Sequence, residues 1–401
     1  MAAIGQSARR GYEDIALVAP VTVPYERYSI HSAHWWLARA LSTMLADTGL
    51  RKSDLDGCCI SSFLLAPDTA VGLMQHLGLS PRWLDHVPMG GASAVVGVRR
   101  AARAVQAGDA DIIACVSADT NHVDSFRHMI ANFSQFARDA VYPYGSGGPN
   151  ASFALLTSYY MREFGATRAD FGKLCVAQRA NALNFPGALF KKPLTLEQYL
   201  DARPVADPLH LFDCVMPCAG AESFLVMSVA RAEALGLPYA RMLGTIERHN
   251  AFPEDPIQMR GGWEMDRDDL YAQAGVGTDD VDFMQTYDDY PVINAMQFED
   301  LGFCAKGEGP AFIREHTFDI HGSFPINTSG GQLSVGQAGA AGGYLGMVEA
   351  IRQLSGQARA TTVPGAQVGL VCGFGMINYD RGVCSGAALL GRGTAPEEIP
   401  T

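Results

Sequence analysis

The side chains best suited to chemistry are a cysteine and a tyrosine at the ends of two predicted strands. Cys372 lies near the end of the predicted strand 367–373, before a Gly-x-Gly turn that closes at Gly375. Tyr287 ends a predicted strand that begins at Val281. A thiol acts as a nucleophile or a base only where its surroundings lower its pKa. A small thiol in a strand and a ring beside a strand end are also typical of a packed core, so the pattern leaves both roles open.

Two glycine-rich turns present further polar groups. One holds Gly91 and Ser93, and the other holds Gln337 shortly before Tyr344 begins a predicted helix. A serine without an adjacent histidine is a poor nucleophile. A glutamine can donate a hydrogen bond to an oxyanion but cannot take a proton. Tyr344 can donate a proton to an oxyanion.

The elements around these turns occur twice along the chain. A glycine turn leads to a predicted helix at 94–106, an Ala-Gly stop and a strand at 110–117. Residues 325–378 repeat this order, with a helix at 344–354, a Ser-Gly stop and the strand that holds Cys372. Helices that alternate with apolar strands predict an α/β fold, and the repetition indicates that the fold is duplicated.

Charge and cysteine spacing narrow the possible partners of this 401-residue chain. Its net charge of −12 argues against nucleic acid and against an anionic membrane surface. The start of the chain has no apolar signal-peptide core, and nine unevenly spread cysteines indicate free thiols, so we expect a cytoplasmic protein. Cys214 and Cys218 lie near His210 but lack a second ligand pair, so we predict no metal site.

Several motifs occur in an order that resembles one known family. They are Gly90-Gly-Ala-Ser93 with its helix, Asn184-Phe-Pro-Gly-Ala, Arg203-Pro-Val-Ala-Asp-Pro-Leu, Thr286-Tyr-Asp-Asp-Tyr290 with Phe298-Glu-Asp-Leu-Gly-Phe-Cys304, and Pro325-Ile-Asn-Thr-Ser-Gly-Gly331. Each is weak alone, but their order and spacing over residues 12–392 resemble the sterol-carrier-type branch of the thiolase superfamily. The resemblance implies a duplicated thiolase fold of two βαβαβαββ-type halves in five αβαβα layers.

The resemblance also implies a division of the chain. Residues 12–120 with 210–240 are predicted to form the N-terminal half, and residues 241–392 the C-terminal half. Residues 121–209, with many aromatic, proline and asparagine positions, are predicted to be a large inserted loop region.

The resemblance assigns roles and shows departures from the family's pattern. The nucleophilic cysteine of the family falls at Gly91, or at Ala92 if the register shifts by one. Its loop histidine falls at Gln337 and its second cysteine near Cys372. Tyr287 falls where family members place a polar group that touches the active-site water or oxyanion. We therefore predict the catalytic set Cys372, Tyr287, Gln337 and Tyr344, and the substrate-binding set Gly91, Ser93, Asn327 and Gly375.

Three functions remain open after this comparison. The first is thiolytic cleavage of a β-ketoacyl-CoA by an unusual active site, in which either Cys372 carries the acyl group or the acyl group passes directly to its acceptor. The second is retro-aldol cleavage of a β-hydroxyacyl-CoA, as in steroid side-chain aldolases, which needs a base and enolate donors but no covalent nucleophile. The third is a non-catalytic subunit of a complex.

The resemblance finally implies the molecules with which the chain interacts. Coenzyme A is expected as a substrate or product, and no permanently bound cofactor is expected. The family suggests a homodimer and a small zinc-ribbon/OB-fold partner subunit.

Overall fold

Strands and helices alternate along most of the chain in the computed structural model, which describes residues 11–65, 68–122, 140–145, 148–379 and 381–393. The strands are β1 (Ile15–Glu26), β2 (Gly57–Ser61), β3 (Trp83–His86), β4 (Ile112–Asp119), β5 (Pro204–Ala206), β6 (Leu209–His210), β7 (Ala219–Ser228), β8 (Tyr239–His249), β9 (Phe283–Gln285), β10 (Val368–Asn378) and β11 (Arg381–Arg392). The helices are α1 (Ala33–Thr48), α2 (Ala70–Leu77), α3 (Ser93–Ala107), α4 (Pro149–Phe164), α5 (Arg168–Ala182), α6 (Leu196–Leu200), α7 (Val229–Ala234), α8 (Trp263–Ala274), α9 (Pro291–Asp300), α10 (Gly309–Glu315), α11 (Gly331–Val335) and α12 (Gly342–Leu354). The predicted α/β class is confirmed.

Nine of the strands pair in one continuous series. Their order is β3-β2-β4-β7-β1-β8-β11-β10-β9, and β5 pairs separately with β6. The two parts of the series meet where β1 and β8 run antiparallel, from the pair Ala16–Arg241 to the pair Val18–Tyr239. The five strands on one side of this junction come from the first part of the chain, and the four on the other side from the last part.

The two sides of the junction repeat one strand order. In the first, β2 runs parallel to β4, and β4, β7 and β1 then pair antiparallel. In the second, β9 runs parallel to β10, and β10, β11 and β8 pair antiparallel. The counterpart of β3 is a single parallel bridge between Met284 and Ile326. The duplicated fold predicted from the sequence is therefore present, whereas the exact boundaries of the halves stay a prediction.

Two helices lie between the halves, because each half contributes an apolar strand face that must be covered. One buried cluster combines Val95 and Val96 of α3 with Met347 and Val348 of α12 and includes strand residues of both halves. A second cluster packs α1 on the N-terminal strands, and a third packs α8 on the C-terminal strands. The result is the predicted order of helix, strand, helix, strand and helix layers.

The described part of residues 121–209 contains the helices α4, α5 and α6, and this corrects the prediction of a loop region there, whereas its status as an insertion stays a prediction. Helix α4 has Pro149 at its first position, and α5 begins with a capping box between Thr167 and Asp170. Helix α5 has no simple apolar stripe because it also buries polar residues, among them Gln178 and Asn181. The helical period was therefore hidden, although the proline and the capping box are sequence signals for both helix starts.

Candidate active site

A cavity of about 340 Å³ lies where the two halves and the insertion meet. Its walls come from the turn before α3, the loops after β4 and β9, the loop before α12, the N-terminus of α4 and the end of β10. Its volume lies in the range of small-molecule sites, roughly 300–1,000 Å³. Four of the eight predicted site residues line it: Gly91, Tyr287, Gln337 and Gly375.

A hydrogen-bonded trio faces this cavity. The Tyr287 hydroxyl donates to Asp289 Oδ2 over 2.7 Å, and Gln337 Nε2 donates to Asp289 Oδ1 over 2.8 Å. One carboxylate therefore accepts from a phenol and an amide at the same time. The arrangement joins the loop after β9 to the loop before α12, and it fixes both donors relative to one acid.

Burial sets the protonation chemistry of this trio. It raises the pKa of Asp289 to about 7, although the hydrogen bonds from Tyr287 and Gln337 pull the pKa the other way. Burial and the neighbouring Asp289 raise the pKa of Tyr287 well above its usual value, so the tyrosine is a phenol at neutral pH. A carboxyl with a pKa near neutrality suits a general base, and a phenol suits a proton relay to it.

The Tyr287 ring occupies the space in front of Gly91. A Cβ added at Gly91 would lie 1.9 Å from Tyr287 Cε2 and 2.1 Å from its Cζ, closer than any packed atoms. Position 91 is the one that the resemblance assigns to a nucleophile. The phenol therefore stands in the volume that a side chain at that position would need.

The end of β10 packs directly on the turn before α3. A Cβ at Gly375 would lie 2.5 Å from the Met89 carbonyl oxygen, and one at Gly91 would lie 2.4 Å from the Phe374 carbonyl oxygen. Glycines at 91 and 375 thus let two backbones approach, which brings the N-terminal half against the C-terminal half at the cavity.

Asp119, at the end of β4, holds three loops of the site together. It accepts hydrogen bonds from the Ser62 hydroxyl (2.7 Å), from the backbone N–H groups of Phe63 and Leu64, and from the backbone N–H of Ala340 (2.8 Å). Ala340 belongs to the loop that carries Gln337. Burial raises the pKa of Asp119 to about 6, less than it would without these donors.

Two predicted site residues lie behind Tyr287 rather than in the cavity. Cys372 and Asn327 line a separate void of about 10 Å³, which Tyr287 also lines. Burial raises the pKa of the Cys372 thiol well above its usual value, which keeps it neutral. The amide of Asn327 donates to the Thr286 hydroxyl over 2.7 Å and so stabilises the loops instead of reaching a ligand.

Two others are engaged inside the fold. Tyr344 is fully buried on α12, where its hydroxyl lies 3.2 Å from Ser61 Oγ and its ring packs on Phe224. The Ser93 hydroxyl donates to the Val87 carbonyl over 2.9 Å and accepts from the Met89 N–H, which closes the turn before α3. Neither lines the cavity, because closeness in sequence to a glycine turn does not decide which way a helical side chain points.

The sequence prediction passed over several residues that line the cavity. Asp289 lies two residues after Tyr287 in the sequence, and this spacing is a signal that the two side chains can act together. Asn150 and Phe153 lie in the insertion, where the predicted loop hid the start of a helix. Asp119 ends an apolar strand, and an acid at such a point is a further signal for a site.

The charges of the lining indicate which part of a ligand enters. Asp119 and Asp289 contribute carboxyl groups, and the described lining contains neither lysine nor arginine. Such a cavity suits an uncharged group rather than phosphates. Within the described residues, no group of three or more His, Cys, Asp and Glu side chains is placed to hold a metal ion. In the same residues, no helix has both the length and the apolar character needed to cross a membrane.

The sequence of this chain is similar to a known protein family and to known enzymes. Residues 256–384 match the family described as thiolase C-terminal domain-like. The chain is 33% identical over 334 residues to a steroid side-chain-cleaving aldolase of Thermomonospora curvata, covering 79% of this chain and 84% of that one. It is 32% identical over 338 residues to the 17-hydroxy-3-oxo-4-pregnene-20-carboxyl-CoA lyase of Mycobacterium tuberculosis, covering 80% and 86%.

A solved structure is similar over almost the whole length. The structure named Ltp2-ChsH2(DUF35) aldolase superposes with a TM-score of 0.82 at 26% identity, covering 97% of this chain and 99% of that one. By name, one of the two curated relatives and this structure are aldolases, and the other relative is a CoA-ester lyase. Of the functions predicted from the sequence, the comparisons therefore favour the retro-aldol alternative over thiolysis.

Proposed function

The chain belongs to the thiolase superfamily, in its sterol-carrier-type branch, and from this premise we propose that it is a retro-aldol lyase acting on a β-hydroxyacyl-CoA. The observation that carries the proposal is the Tyr287 ring in front of Gly91, hydrogen-bonded to Asp289. A phenol–carboxylate pair can move a proton, whereas Gly91 offers no atom that can hold an acyl group.

The first step removes the proton of the substrate's β-hydroxyl group. Tyr287 takes this proton as it passes its own to Asp289, whose pKa of about 7 lets it accept near neutrality. The electron pair of the O–H bond forms a carbonyl group at the β-carbon. The bond between the α- and β-carbons breaks, and its electron pair moves to the α-carbon and into the thioester as an enolate.

The second step quenches the enolate. The amide nitrogen of Gln337 has one hydrogen beyond the one donated to Asp289, and we assign it to the thioester oxygen, where negative charge develops. The proton then returns from Asp289 through Tyr287 to the α-carbon. The products are a ketone or aldehyde and a shortened acyl-CoA, and no other reactant is consumed.

The substrate class follows from the same comparisons. The relatives named above cleave a steroid side chain or a pregnene carboxyl-CoA, and we extend from them only the CoA thioester and the bulky carbon skeleton to this chain. The apolar, acid-bearing cavity is suited to the acyl part. We place the phosphates of coenzyme A outside it.

Two substitutions separate this reaction from thiolysis. Tyr287→Phe removes the relay and is expected to lower kcat by about 10²–10⁴-fold, whereas Cys372→Ala is expected to retain activity within a few fold, since its thiol is buried and neutral. The assay follows release of shortened acyl-CoA from β-hydroxyacyl-CoA without free CoA. Loss of activity in Cys372→Ala together with a requirement for free CoA would instead establish thiolysis.

We also propose an assembly. The solved aldolase has a DUF35 component in its name, so we expect a small zinc-ribbon/OB-fold subunit to accompany this chain in the cytoplasm.

Strand β3 ends the nine-stranded series and has no strand partner on its outer side within the described chain, which suits pairing in a homodimer. Light scattering of the chain alone and co-expressed with such a subunit tests both. Turnover of a β-hydroxyacyl-CoA by either preparation would contradict the hypothesis that the chain is a non-catalytic subunit.

A further inference from the structure

One wall of the cavity is built from stacked aromatic rings. The Phe153 ring stacks on Tyr290 with centroids 4.3 Å apart, and it meets Phe374 edge-on at 6.4 Å. Tyr290 directly follows Asp289, so this wall starts one residue from the proposed acid–base pair. These rings give this part of the lining rigid apolar surface, against which a ring system can pack.

A polar group interrupts the wall. The Tyr290 hydroxyl donates to Asn150 Oδ1 over 2.5 Å. Burial raises the pKa of Tyr290 well above its usual value, so the phenol keeps the proton that it donates. This bond turns the carbonyl end of the Asn150 amide towards Tyr290, and the NH₂ end is directed elsewhere.

Other polar side chains of the lining are already engaged. Asn121 Nδ2 donates to the carbonyls of Arg27 and Pro217, and the Thr120 hydroxyl donates to the His31 carbonyl. Gln337 Nε2 donates to Asp289 Oδ1. Among the lining amides, Asn150 is the one whose NH₂ group makes no bond to a described residue.

The helix that carries Asn150 is anchored in place. Asn150 is the second residue of α4, and the Ser152 hydroxyl donates to the Tyr379 carbonyl beyond β10 over 2.9 Å. Asn150 therefore reaches the cavity from a fixed helix start rather than from a free loop. A fixed donor discriminates between ligands better than a mobile one, because little entropy is lost when it binds.

We propose that Asn150 and Tyr290, with the rings of Phe153 and Phe374, form a subsite for a cyclic acyl group that bears an oxygen acceptor. The ring system lies against the aromatic wall, and its oxo or hydroxyl oxygen accepts from the Asn150 NH₂ group. This assignment rests on the proposed lyase function and adds to it the residue that selects among acyl groups.

The test uses two matched thioesters. In both, a tertiary alcohol carbon of a decalin ring bears an acetyl-CoA arm, and one of them carries a ketone on the far ring. Retro-aldol cleavage of either releases acetyl-CoA and a decalin ketone. Wild-type enzyme is expected to prefer the ketone-bearing ester by about tenfold or more in kcat/KM, since the other ester leaves the Asn150 NH₂ group without an acceptor.

Three variants identify the donor. Asn150→Leu keeps the approximate volume and should reduce the preference to about unity, chiefly through KM for the ketone-bearing ester. Tyr290→Phe keeps the stacked ring but releases the amide, so the preference should fall in part. Leu155→Ala is the control on the same helix, because Leu155 is 68% exposed and should leave the preference unchanged.

Binding of the two ketone products provides a readout that does not depend on turnover. The wild type should bind the diketone more tightly than the monoketone, and Asn150→Leu should not. Equal cleavage of both esters by wild type, or an undiminished preference in Asn150→Leu, would overturn the subsite while leaving the lyase function intact. Cleavage of neither ester together with selective diketone binding would overturn the lyase function and not the subsite.

Discussion

Two neighbouring aspartates in the loop after β9 have the same charge and different surroundings. Asp288 accepts from the backbone N–H groups of Gln332 and Leu333 and so holds the start of α11. Asp289 accepts from two side chains in the cavity. Burial raises the pKa of each to about 7. Asp289 alone has that pKa where a substrate can reach the group.

The pKa of Asp289 predicts a pH profile. Below about pH 7 the carboxyl is protonated and cannot accept from Tyr287, so kcat/KM should fall as the pH is lowered and level off above it. Asp289→Asn removes the base and should lower kcat by about 10²–10⁴-fold at every pH. Rates measured from about pH 5 to pH 9 check this. The exposed Asp279→Asn serves as the control, and a flat wild-type profile would contradict the assignment.

Half of the eight predicted site residues line the cavity, and physical reasons separate them from the other half. Tyr287 and Gln337 stand in loops directly after a strand and before a helix, where side chains meet at one edge of the fold. Cys372 is inside a strand, and Tyr344 is on the buried face of α12. Depth within an element depends on tertiary packing, which composition and spacing do not encode.

At the scale of elements, the turn before α3 and the loop after β9 share one volume. A Cβ at Gly91 would overlap the Tyr287 ring and approach the Phe374 carbonyl oxygen to 2.4 Å. Gly91→Ala should therefore destabilise the fold by about 1–3 kcal/mol and abolish turnover by displacing the phenol. Thermal unfolding and a cleavage assay measure the two effects.

A matched glycine tests the cause. At Gly277, φ is −112° and the nearest atom to an added Cβ is 3.8 Å away, so Gly277→Ala should be close to neutral in both assays. If Gly91→Ala were equally neutral, the described packing of Tyr287 would be wrong.

The elements outside the insertion followed their sequence patterns closely. Helix α1 begins after Ser32, whose hydroxyl accepts from the Trp35 N–H, and stops at Gly49 with φ 71°. Such local signals fix the ends of an element wherever one face is apolar. Helix α5 lacks a single apolar face because it is enclosed on several sides, so its sequence shows no helical spacing of apolar residues.

Across the whole molecule, a buried carboxyl connects the two halves. Glu222 of β7 accepts from the Thr22 hydroxyl of β1 over 2.7 Å, and that hydroxyl accepts from Arg352 of α12 over 2.6 Å. Burial raises the pKa of Glu222 to about 8, although Arg352 opposes the shift. The folded protein thus holds a proton here that the unfolded chain releases near pH 4.5.

The sign of this linkage is definite. Because the folded state binds more protons between about pH 4.5 and pH 8, Glu222 makes stability fall as the pH rises through that window, by at most about 1.4 kcal/mol per pH unit. Glu222→Gln should be more stable than wild type at pH 8 and show a smaller loss from pH 5 to pH 8. Denaturant unfolding at both pH values tests this against the exposed Glu254→Gln. An unchanged pH dependence in Glu222→Gln would contradict it.

The overlap between position 91 and the Tyr287 ring also constrains which mutations at these two positions the fold can accept, and in which order. A single substitution that places a thiol at position 91 meets a filled space, so a variant with both side chains is expected to fold poorly. Tyr287 must first be replaced by a smaller residue, and that replacement removes the proposed proton relay before a thiol is present at position 91. The backbone oxygen of Phe374 must also move. A cysteine at position 91 therefore requires several coordinated changes in this active site, and no single substitution can introduce it without disturbing Tyr287.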